Sequence, residues 1–344
     1  MVVAGAILAT AALAGLIFTV AGPDPGADPA GARGATGTGE STDPGPTVPG
    51  GAPTRSATPS SGPRSTSPSP TRTPTRPRPP TGGKPGPANT GVPAGVALRI
   101  VTGDQVYTKD NQVVSGLDIH GFVRIRARNV TIKNSIVRGG ARRCNSAVIF
   151  VEDGRSATIE DTEIIPTNPN PCLDGIWATN ATLRRLDVHD VVDGVKAFDN
   201  VTVQDSYIHG LSWFASDPNQ GGGATHNDAV QTYEGNRNIV LRHNTLRVAK
   251  RDNAAFQVTQ DGGGTATGLR VEGNWLDGGG CTLNFAHKGG PTPMTGIFVV
   301  GNRFGRDSYF NCPILISTQT VLSQLSGNVW DDTGKPIPRP QQHD

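Results

Sequence analysis

The chain has 344 residues, of which only 35% are apolar, and it contains 45 glycines and 28 prolines. The formal net charge is +2, and residues 96–344 carry 24 basic groups against 25 acidic ones. A nearly neutral folded part lacks the basic surface that nucleic-acid binding requires, so we expect no nucleic-acid partner.

Residues 1–22 are predicted to be a signal peptide or a membrane anchor. The run from Val2 to Val20 contains no charged residue and is long enough to span a bilayer. Small residues at Thr19 and Ala21 are placed as they are before a cleavage site. Either role takes the chain out of the cytoplasm, so we expect a protein that is secreted or anchored at the cell surface. Membrane contact is expected only through this segment.

Residues 23–95 are predicted to be a disordered linker rich in Pro, Ser, Thr and Gly. This part shows no apolar periodicity, and stretches such as Pro-Thr-Arg-Thr-Pro-Thr-Arg-Pro at residues 70–77 are typical of it. Such a segment buries too little apolar surface to offset its chain entropy, so it stays extended and solvated. It serves either as a spacer across a cell wall or simply as a tether.

A short repeat fills the rest of the chain. Its copies include VTIKNSIV at 130–137, VTVQDSYI at 201–208, VLRHNTL at 240–246 and RVEGNWL at 270–276. The first inward apolar residues of the copies are Ile132, Ile159, Leu183, Val203, Leu241, Val271, Val299 and Leu325. Five positions later an apolar residue stands in every copy: Val137, Ile164, Val188, Ile208, Leu246, Leu276, Phe304 and Trp330. A constant internal offset with a variable spacing between copies indicates stacked coils whose turns accept insertions.

A second strand follows in each copy. Its inward residues are predicted to be Val148, Ile176, Val195, Val230, Phe256, Leu283 and Ile314. The last four copies also carry an asparagine three residues after the first inward position: Asn244, Asn274, Asn302 and Asn328. Identical amides on successive parallel strands can hydrogen-bond along the stack. The repeat therefore predicts an all-β fold, a parallel β-helix of about eight coils over residues 96–332, with a polar tail at 333–344.

The four cysteines support the same alignment. Cys144 and Cys172 both precede the second strand by four residues, and Cys281 and Cys312 both precede it by two. Neighbouring strands lie about 4.8 Å apart, which is within the Cα separation that a disulfide accepts. We predict the disulfides Cys144–Cys172 and Cys281–Cys312, which suit an oxidising extracellular location.

With this repeat, the sequence over residues 96–330 resembles the pectate-lyase-like superfamily of right-handed parallel β-helices. It is most similar to secreted actinobacterial members that open with a segment such as Asn-Thr-Gly-Val-Pro-Ala-Gly, found here at residues 89–95. The resemblance implies the right-handed fold. It does not select one activity, since the superfamily contains lyases, hydrolases, epimerases, esterases and adhesins.

The longest insertion lies between Ile208 and Val230 and holds Trp213 and Phe214 beside a run of three glycines. An exposed aromatic pair on such a loop suits stacking on a sugar face, and the other interpretation is that both rings cover a hydrophobic seam. Trp213 and Phe214 are the first candidates for substrate binding.

Two residues before the second strand, three copies carry an aspartate: Asp174, Asp193 and Asp228. We call these three residues the Asp column. Carboxylates from neighbouring strands repel one another unless a cation or a proton intervenes, and oxygen ligands of this kind suit Ca²⁺. The other interpretation is that each aspartate accepts hydrogen bonds from turn amides. The column is therefore a metal or catalytic cluster, or a set of turn caps.

One residue after the second-strand position, a further column contains Trp177, Lys196, Gln231, Gln257 and Asn284. Lys196 is the only cation in it. The arrangement is similar to the calcium-dependent pectate lyases, in which Asp residues of adjacent coils bind Ca²⁺ and a Lys is the base for β-elimination. By that resemblance, the Asp column binds Ca²⁺ and Lys196 is the base; a solvated surface lysine is the alternative. Gln231 and Gln257 are predicted to contact the substrate.

Three further candidates flank these columns. His226 and Asp228 are two residues apart and suit acid–base chemistry, and Arg251 suits pairing with a substrate carboxylate. His189 and His209 share a column, where they bind a metal or an acidic substrate or simply form a polar face.

These features predict a monomeric extracellular protein that binds an acidic or cell-wall polysaccharide. The first hypothesis is a polysaccharide lyase acting by β-elimination. The alternatives are a non-catalytic glycan-binding or adhesin-like surface protein, and a glycoside hydrolase that uses two aspartates of the Asp column.

Overall fold

The computed structural model describes residues 83–144, 146–260, 264–286 and 292–343. The predicted signal peptide or anchor at 1–22 and most of the predicted linker lie outside the described residues. Within the described part, no helix has both the length and the apolar character needed to cross a membrane.

Short strands and turns make up almost all of the described chain. The single helix there is a 3-10 turn at Pro218–Gln220. In chain order the strands are β1 (Arg99–Thr102), β2 (Gln105–Tyr107), β3 (Val113–Ser115), β4 (Leu117–His120), β5 (Val123–Ile125), β6 (Val130–Val137), β7 (Ser146–Val151), β8 (Ala157–Ile164), β9 (Leu173–Ala178), β10 (Ala181–Arg184), β11 (Asp187–Val188), β12 (Val195–Ala197), β13 (Val201–Gln204), β14 (Tyr207–Ile208), β15 (Asp228–Tyr233), β16 (Ile239–Arg242), β17 (Thr245–Arg247), β18 (Ala254–Thr259), β19 (Leu269–Glu272), β20 (Trp275–Asp277), β21 (Cys281–Phe285), β22 (Met294–Val300), β23 (Arg303–Phe304), β24 (Cys312–Ile316), β25 (Thr320–Ser326), β26 (Val329–Trp330) and β27 (Gln341–Gln342).

These strands form two long parallel sheets among the described residues. The larger sheet has 17 strands, and the smaller has ten in the order β2-β5-β7-β9-β12-β15-β18-β21-β24-β27. Each strand of the smaller sheet pairs with the next one in that order, after an excursion of the chain through the larger sheet. The fold is therefore all-β and β-helix-like, as the repeat predicts.

The predicted register of the larger sheet is confirmed. Leu183 pairs with Ile159 and Val203, and Val271 pairs with Leu241 and Val299. The position five residues later is also in register from Val137 to Trp330. All of these side chains are completely buried except those of the last coil: Trp330 is half-buried, and Leu325, predicted to face the interior, is 40% exposed. That prediction is wrong for Leu325, because its strand β25 lies at the end of the stack of coils. The apolar spacing therefore identifies the core of this sheet.

In the smaller sheet one predicted position is wrong by a residue. Ile149, not Val148, pairs with Ile176, and the later positions pair as predicted. Val148 and Ile149 are both completely buried. Two consecutive residues face the interior here, so the simple alternation of inward and outward side chains does not distinguish them.

Polar side chains are stacked inside the larger sheet. Asn244, Asn274, Asn302 and Asn328 form the predicted ladder, with each Nδ2 donating to the next Oδ1 over 2.9–3.0 Å. Each Oδ1 also accepts the backbone N–H of the preceding asparagine. The ladder satisfies buried polar groups that would otherwise oppose burial.

Both predicted disulfides are present. Cys144 bonds to Cys172 with a Cα separation of 4.4 Å, and Cys281 bonds to Cys312 with one of 4.7 Å. Cys281 and Cys312 are paired residues of β21 and β24. Each bond therefore ties successive strands of the smaller sheet together at its edge.

The folded part extends beyond both predicted boundaries. The segment 83–95, assigned above to the linker, lies against the larger sheet: the Gly91 N–H donates to Arg185 O over 2.9 Å, and Thr90 is buried. In the predicted polar tail, Gln341 and Gln342 form β27 and pair with β24. Main-chain hydrogen bonds attach these segments, and apolar periodicity does not reveal such bonds.

Candidate functional site

The Asp column lies at the outer edge of the smaller sheet, where β9, β12 and β15 begin. Gly175 and Gly194 follow the first two aspartates and face the interior. A Cβ on Gly194 would stand 2.5 Å from the Ala229 carbonyl oxygen and from the Ile208 side chain. Only glycine fits such a close approach, so packing against the neighbouring strand and the opposite sheet requires glycine at the position after each of these two aspartates.

Backbone amides of the next strand cap the carboxylates. The Asp193 N–H donates to Asp174 Oδ1 over 3.3 Å, and the Asp228 N–H donates to Asp193 Oδ1 over 2.8 Å. Asp228 Oδ1 accepts from Asn253 Nδ2 over 3.0 Å. Asp174 and Asp193 therefore accept hydrogen bonds from backbone amides, as the capping interpretation predicts.

Lys196 adds a charge to this capped column. Its Nζ lies 2.8 Å from Asp174 Oδ2 and 3.3 Å from Asp193 Oδ2. The Lys196 side chain is 20% exposed, while those of Asp174 and Asp193 are only 6% and 5% exposed. Lys196 is therefore neither a freely solvated lysine nor a buried one, but the accessible member of a buried ionic cluster.

Burial and mutual charge set the protonation of this cluster. Burial works to lower the pKa of Lys196, but the adjacent carboxylates of Asp174 and Asp193 outweigh it and raise that pKa well above its ordinary value. Burial raises the pKa of Asp193 to about 7, with Lys196 opposing the rise and Asp174 adding to it. Burial and the neighbouring Asp193 raise the pKa of Asp228 strongly. At neutral pH the cluster therefore holds the Lys196 ammonium and a proton on the completely buried Asp228, while Asp193 is present in both its protonated and its ionised form.

These contacts decide how well the Asp column fits Ca²⁺. The Lys196 ammonium stands between Asp174 and Asp193, where a shared cation would have to lie. Asp228 is completely buried and engaged by Asn253. Ca²⁺ requires six to eight converging oxygens. The donor set does not fit Ca²⁺, because the Lys196 ammonium already occupies the position between Asp174 and Asp193, and the third carboxyl, that of Asp228, is completely buried and bonded to Asn253.

Aromatic rings continue the outer face next to Lys196. Trp177 Nε1 donates to Asp174 Oδ2 over 2.6 Å, and the Lys196 Nζ lies 5.7 Å from the Trp177 ring centre. Phe150 packs edge-on against Trp177 with ring centres 5.5 Å apart. On the other side Phe198 and Tyr233 stack at 6.0 Å. The half-buried rings thus border the ionic cluster on both sides along the sheet.

Gln231 and Gln257, the amide side chains predicted to contact the substrate, lie in the same outer column as Lys196. Gln231 pairs with Lys196 and Gln257 along the strands. Gln231 Oε1 accepts from Tyr233 Oη over 2.7 Å, and Gln257 Oε1 accepts from Asn253 Nδ2 over 3.3 Å. Both glutamines have partners within the protein and remain partly exposed.

The long insertion folds beside the cluster. Phe214 and Thr225 close it through N–H···O contacts of 3.0 Å, and both Trp213 and Phe214 are half-buried. The Arg251 guanidinium lies 4.8 Å from the Trp213 ring centre. The Trp213 and Phe214 side chains are therefore partly covered by the protein and partly accessible to solvent.

His226 and Asp228 differ in their exposure to solvent. His226 is exposed, whereas Asp228 is completely buried two residues further on. His226 lies close enough to the buried Asp217 of the insertion to lower the pKa of that carboxyl, against a larger rise caused by burial. Asp217 therefore joins the electrostatic surroundings of the site together with His226.

No family model, curated protein or solved structure matches this chain. The geometry of the site is therefore the basis on which a function is inferred.

Several residues of the site escaped the sequence prediction. Tyr233 lies two residues after Gln231 on the same strand, so the register was sufficient to find it, whereas Phe150 was missed because the predicted register of its strand was one residue off. Asn253 directly precedes Ala254, the residue that pairs with Asp228 on the next strand, and this adjacency was a weaker signal. Asp217 carried none, because the insertion has no register with other coils.

Proposed function

We propose that the protein is an extracellular carbohydrate-active β-helix that binds an acidic polysaccharide along the outer face of the smaller sheet and cleaves it by β-elimination. The observation that supports this most is the Lys196 ammonium, which lies partly exposed beside Asp174 and Asp193, and burial raises the pKa of Asp193 to about 7. Perturbed acids beside an accessible cation are typical of catalytic sites.

The charges suggest how the roles are divided. β-Elimination requires a base for the proton at C5 of a uronate and positive charge for the developing enolate. A lysine whose pKa is raised is protonated at neutral pH and cannot accept that proton. We therefore assign charge stabilisation to Lys196 and proton abstraction to Asp193, whose pKa of about 7 is near the operating pH of an extracellular enzyme.

The outer columns suit an extended polymer. Successive strands present a side chain about every 4.8 Å, so Trp177, Lys196 and Gln231 are aligned along the direction in which the coils stack. Aromatic faces stack on sugar rings, and amides bond their hydroxyl groups. A chain of uronates lying along these columns would contact several coils at once.

We extend the proposal to the handedness of the β-helix and to its number of coils. We propose a right-handed helix of about eight coils, since parallel crossovers are right-handed in almost all known sheets. Two disulfides suit an oxidising compartment, so we place the protein outside the cytoplasm as a monomer, secreted or surface-anchored.

A non-catalytic glycan-binding module is the second candidate. The observation in its favour is that backbone amides cap the Asp column, which gives the aspartates a structural role without chemistry. Under this hypothesis the aromatic and amide columns retain polysaccharide, and Lys196 pairs with its carboxylates.

The test is ultraviolet absorbance of unsaturated uronate products from the full chain. Pectic, alginate and glycosaminoglycan polymers are each supplied with Ca²⁺ and, separately, with a chelator. We expect products under both conditions, a loss of at least about 100-fold for Lys196→Ala and Asp193→Asn, and no change for Lys109→Ala, which removes an exposed lysine.

Each other outcome contradicts part of the proposal. Retention of polymer without product, unchanged in Lys196→Ala, favours the binding module. New reducing ends without ultraviolet absorbance favour a glycoside hydrolase that uses two aspartates. An absolute requirement for Ca²⁺ contradicts the assignment of the stabilising charge to Lys196.

A further inference from the structure

A second polar cluster lies on the outer face of the larger sheet, away from the Asp column. Asp187 of β11 pairs with Glu163 of β8 and Tyr207 of β14. Two residues further along these strands stand His189 and His209, whose backbone N–H groups donate to Ile164 O and Val188 O. Since residues two apart on a strand share a face, the imidazoles and carboxylates meet on one surface.

The distances within this cluster are short. His209 Nε2 lies 3.0 Å from Asp187 Oδ1, and His189 Nε2 lies 3.3 Å from Glu163 Oε1. The two imidazole rings stack with centres 5.0 Å apart. One ligand atom each from Asp187, His189 and His209 can be chosen so that all lie within 4.8 Å of one another. Their side chains and that of Glu163 are 16–29% exposed, so an ion can enter.

These separations are close to those of a metal site. Donors at about 2.1 Å from a tetrahedral Zn²⁺ ion lie about 3.4 Å from one another. The hydrogen-bonded distances of 3.0 and 3.3 Å are already near this value, and the ligand atoms of Asp187, His189 and His209 lie within 4.8 Å of one another. Two imidazoles with two carboxylates favour a transition metal over Ca²⁺ or Mg²⁺, which prefer oxygen alone.

We propose that Asp187, His189 and His209, with Glu163 as the fourth ligand, bind a divalent transition metal ion such as Zn²⁺. The ion joins three successive strands, β8, β11 and β14. It also lies beside the N-terminal segment, since a Cβ on Gly91 would be 3.0 Å from Asp187 Cβ and 3.8 Å from Glu163 Cβ. Metal binding therefore stabilises this part of the sheet and the segment packed on it.

Another histidine provides a matched control. His243 Nδ1 lies 2.7 Å from Asp205 Oδ1 on the same sheet, with a comparable exposure of 29%. Its ring packs against Trp275 and not against a second imidazole. A single imidazole–carboxylate pair offers too few ligands for tight binding, so His243→Ala tests whether any histidine of this surface suffices.

The experiment titrates Zn²⁺ into the tag-free full chain after removal of metal by chelator. Calorimetry measures affinity, and the thermal midpoint measures stabilisation. Metal binding displaces protons from imidazole ligands, so the titration is run at pH 8, where that displacement is favoured. We expect one site, a higher thermal midpoint with Zn²⁺, and affinity at least about tenfold weaker for His209→Ala and Glu163→Gln. His243→Ala should bind as the wild type does.

Cobalt provides a readout that a purely structural role would not change. Co²⁺ bound by the wild type should show the visible absorption of a nitrogen-ligated ion, and His209→Ala should lose it while its circular dichroism remains native. The proposal is overturned if the wild type shows neither heat nor stabilisation with Zn²⁺. It is also overturned if His209→Ala and His243→Ala bind alike.

Discussion

Buried carboxyl groups are the main residue-scale feature of this protein. Asp174, Asp193, Asp228 and Asp252 are each at most 4% exposed, and all lie at the start of strands in the smaller sheet or in its turns. Each accepts a hydrogen bond from a backbone or side-chain N–H. These bonds offset part of the cost of burial, and the rest appears as the raised pKa values of Asp193, Asp228 and Asp252.

Asp252 allows this effect to be measured away from the ionic cluster. Burial raises its pKa from 3.8 to about 6, against an opposing hydrogen bond from the Ala249 N–H. The folded protein thus binds this proton more tightly than the unfolded chain does, and the free energy of unfolding falls as pH rises from 3.8 to about 6. Asp252→Asn should remove about 1–2 kcal/mol of that fall. Urea unfolding at pH 4 and pH 7 measures it, and an unchanged difference would contradict the shift.

The asparagine ladder is the main polar element of the larger sheet. It continues on the N-terminal side as a serine, since Ser206 donates its N–H to Asn244 Oδ1 over 2.9 Å. Each asparagine also donates to a main-chain carbonyl of the preceding coil, as Asn274 does to Leu241 O. The ladder therefore joins coils through side chains as well as through the strand hydrogen bonds.

Removal of one asparagine from the ladder should lower the free energy of unfolding. Asn274→Ala leaves the Asn244 N–H and the Leu241 carbonyl without their buried side-chain partner, so we expect a loss of about 3 kcal/mol in the free energy of unfolding. The control is Asn168→Ala, which removes one exposed amide that donates to Gly140 O over 2.9 Å. Chemical denaturation compares the two. Equal losses would show that the ladder adds no stability beyond that of an exposed hydrogen bond.

The molecule as a whole is held by stacking of coils, with one disulfide on each side of the central strands of the smaller sheet. The two bonds differ in access: Cys144 is exposed, whereas Cys281 and Cys312 are buried. They close loops of similar length, with sequence separations of 28 and 31 residues. Loop entropy thus predicts similar stabilisation, and access predicts different reactivity.

Mild reduction of the folded protein should therefore open Cys144–Cys172 first. Cys144→Ser with Cys172→Ser should lower the free energy of unfolding by up to about 3.6 kcal/mol, the loop-entropy value for this length. Alkylation and mass spectrometry of samples taken during reduction give the order of opening, and denaturation gives the stability. Earlier opening of Cys281–Cys312 would show that strand opening, rather than surface access, controls reduction.

Much of this fold can be predicted from the sequence, and specific residues show why. Parallel strands in register place residues of equal offset side by side, so the spacing from Ile132 to Leu325 determines which side chains stack. The same rule predicts both disulfides and the column of Lys196 with Trp177 and Gln231. The rule is less reliable where alternation breaks down, as at Val148 and Ile149.

Other features were decided only by the tertiary structure. Offsets place Lys196 near the Asp column, but its protonation depends on two carboxylates within 3.3 Å and on how little water reaches them. The meeting of His189 with Glu163, and of the segment at Gly91 with Asp187, also depends on how turns and termini cross the sheet. The sequence by itself therefore determined which residues share a column, because strand pairing is periodic. Burial, charge and the approach of irregular segments were determined in three dimensions, because none of them repeats along the chain.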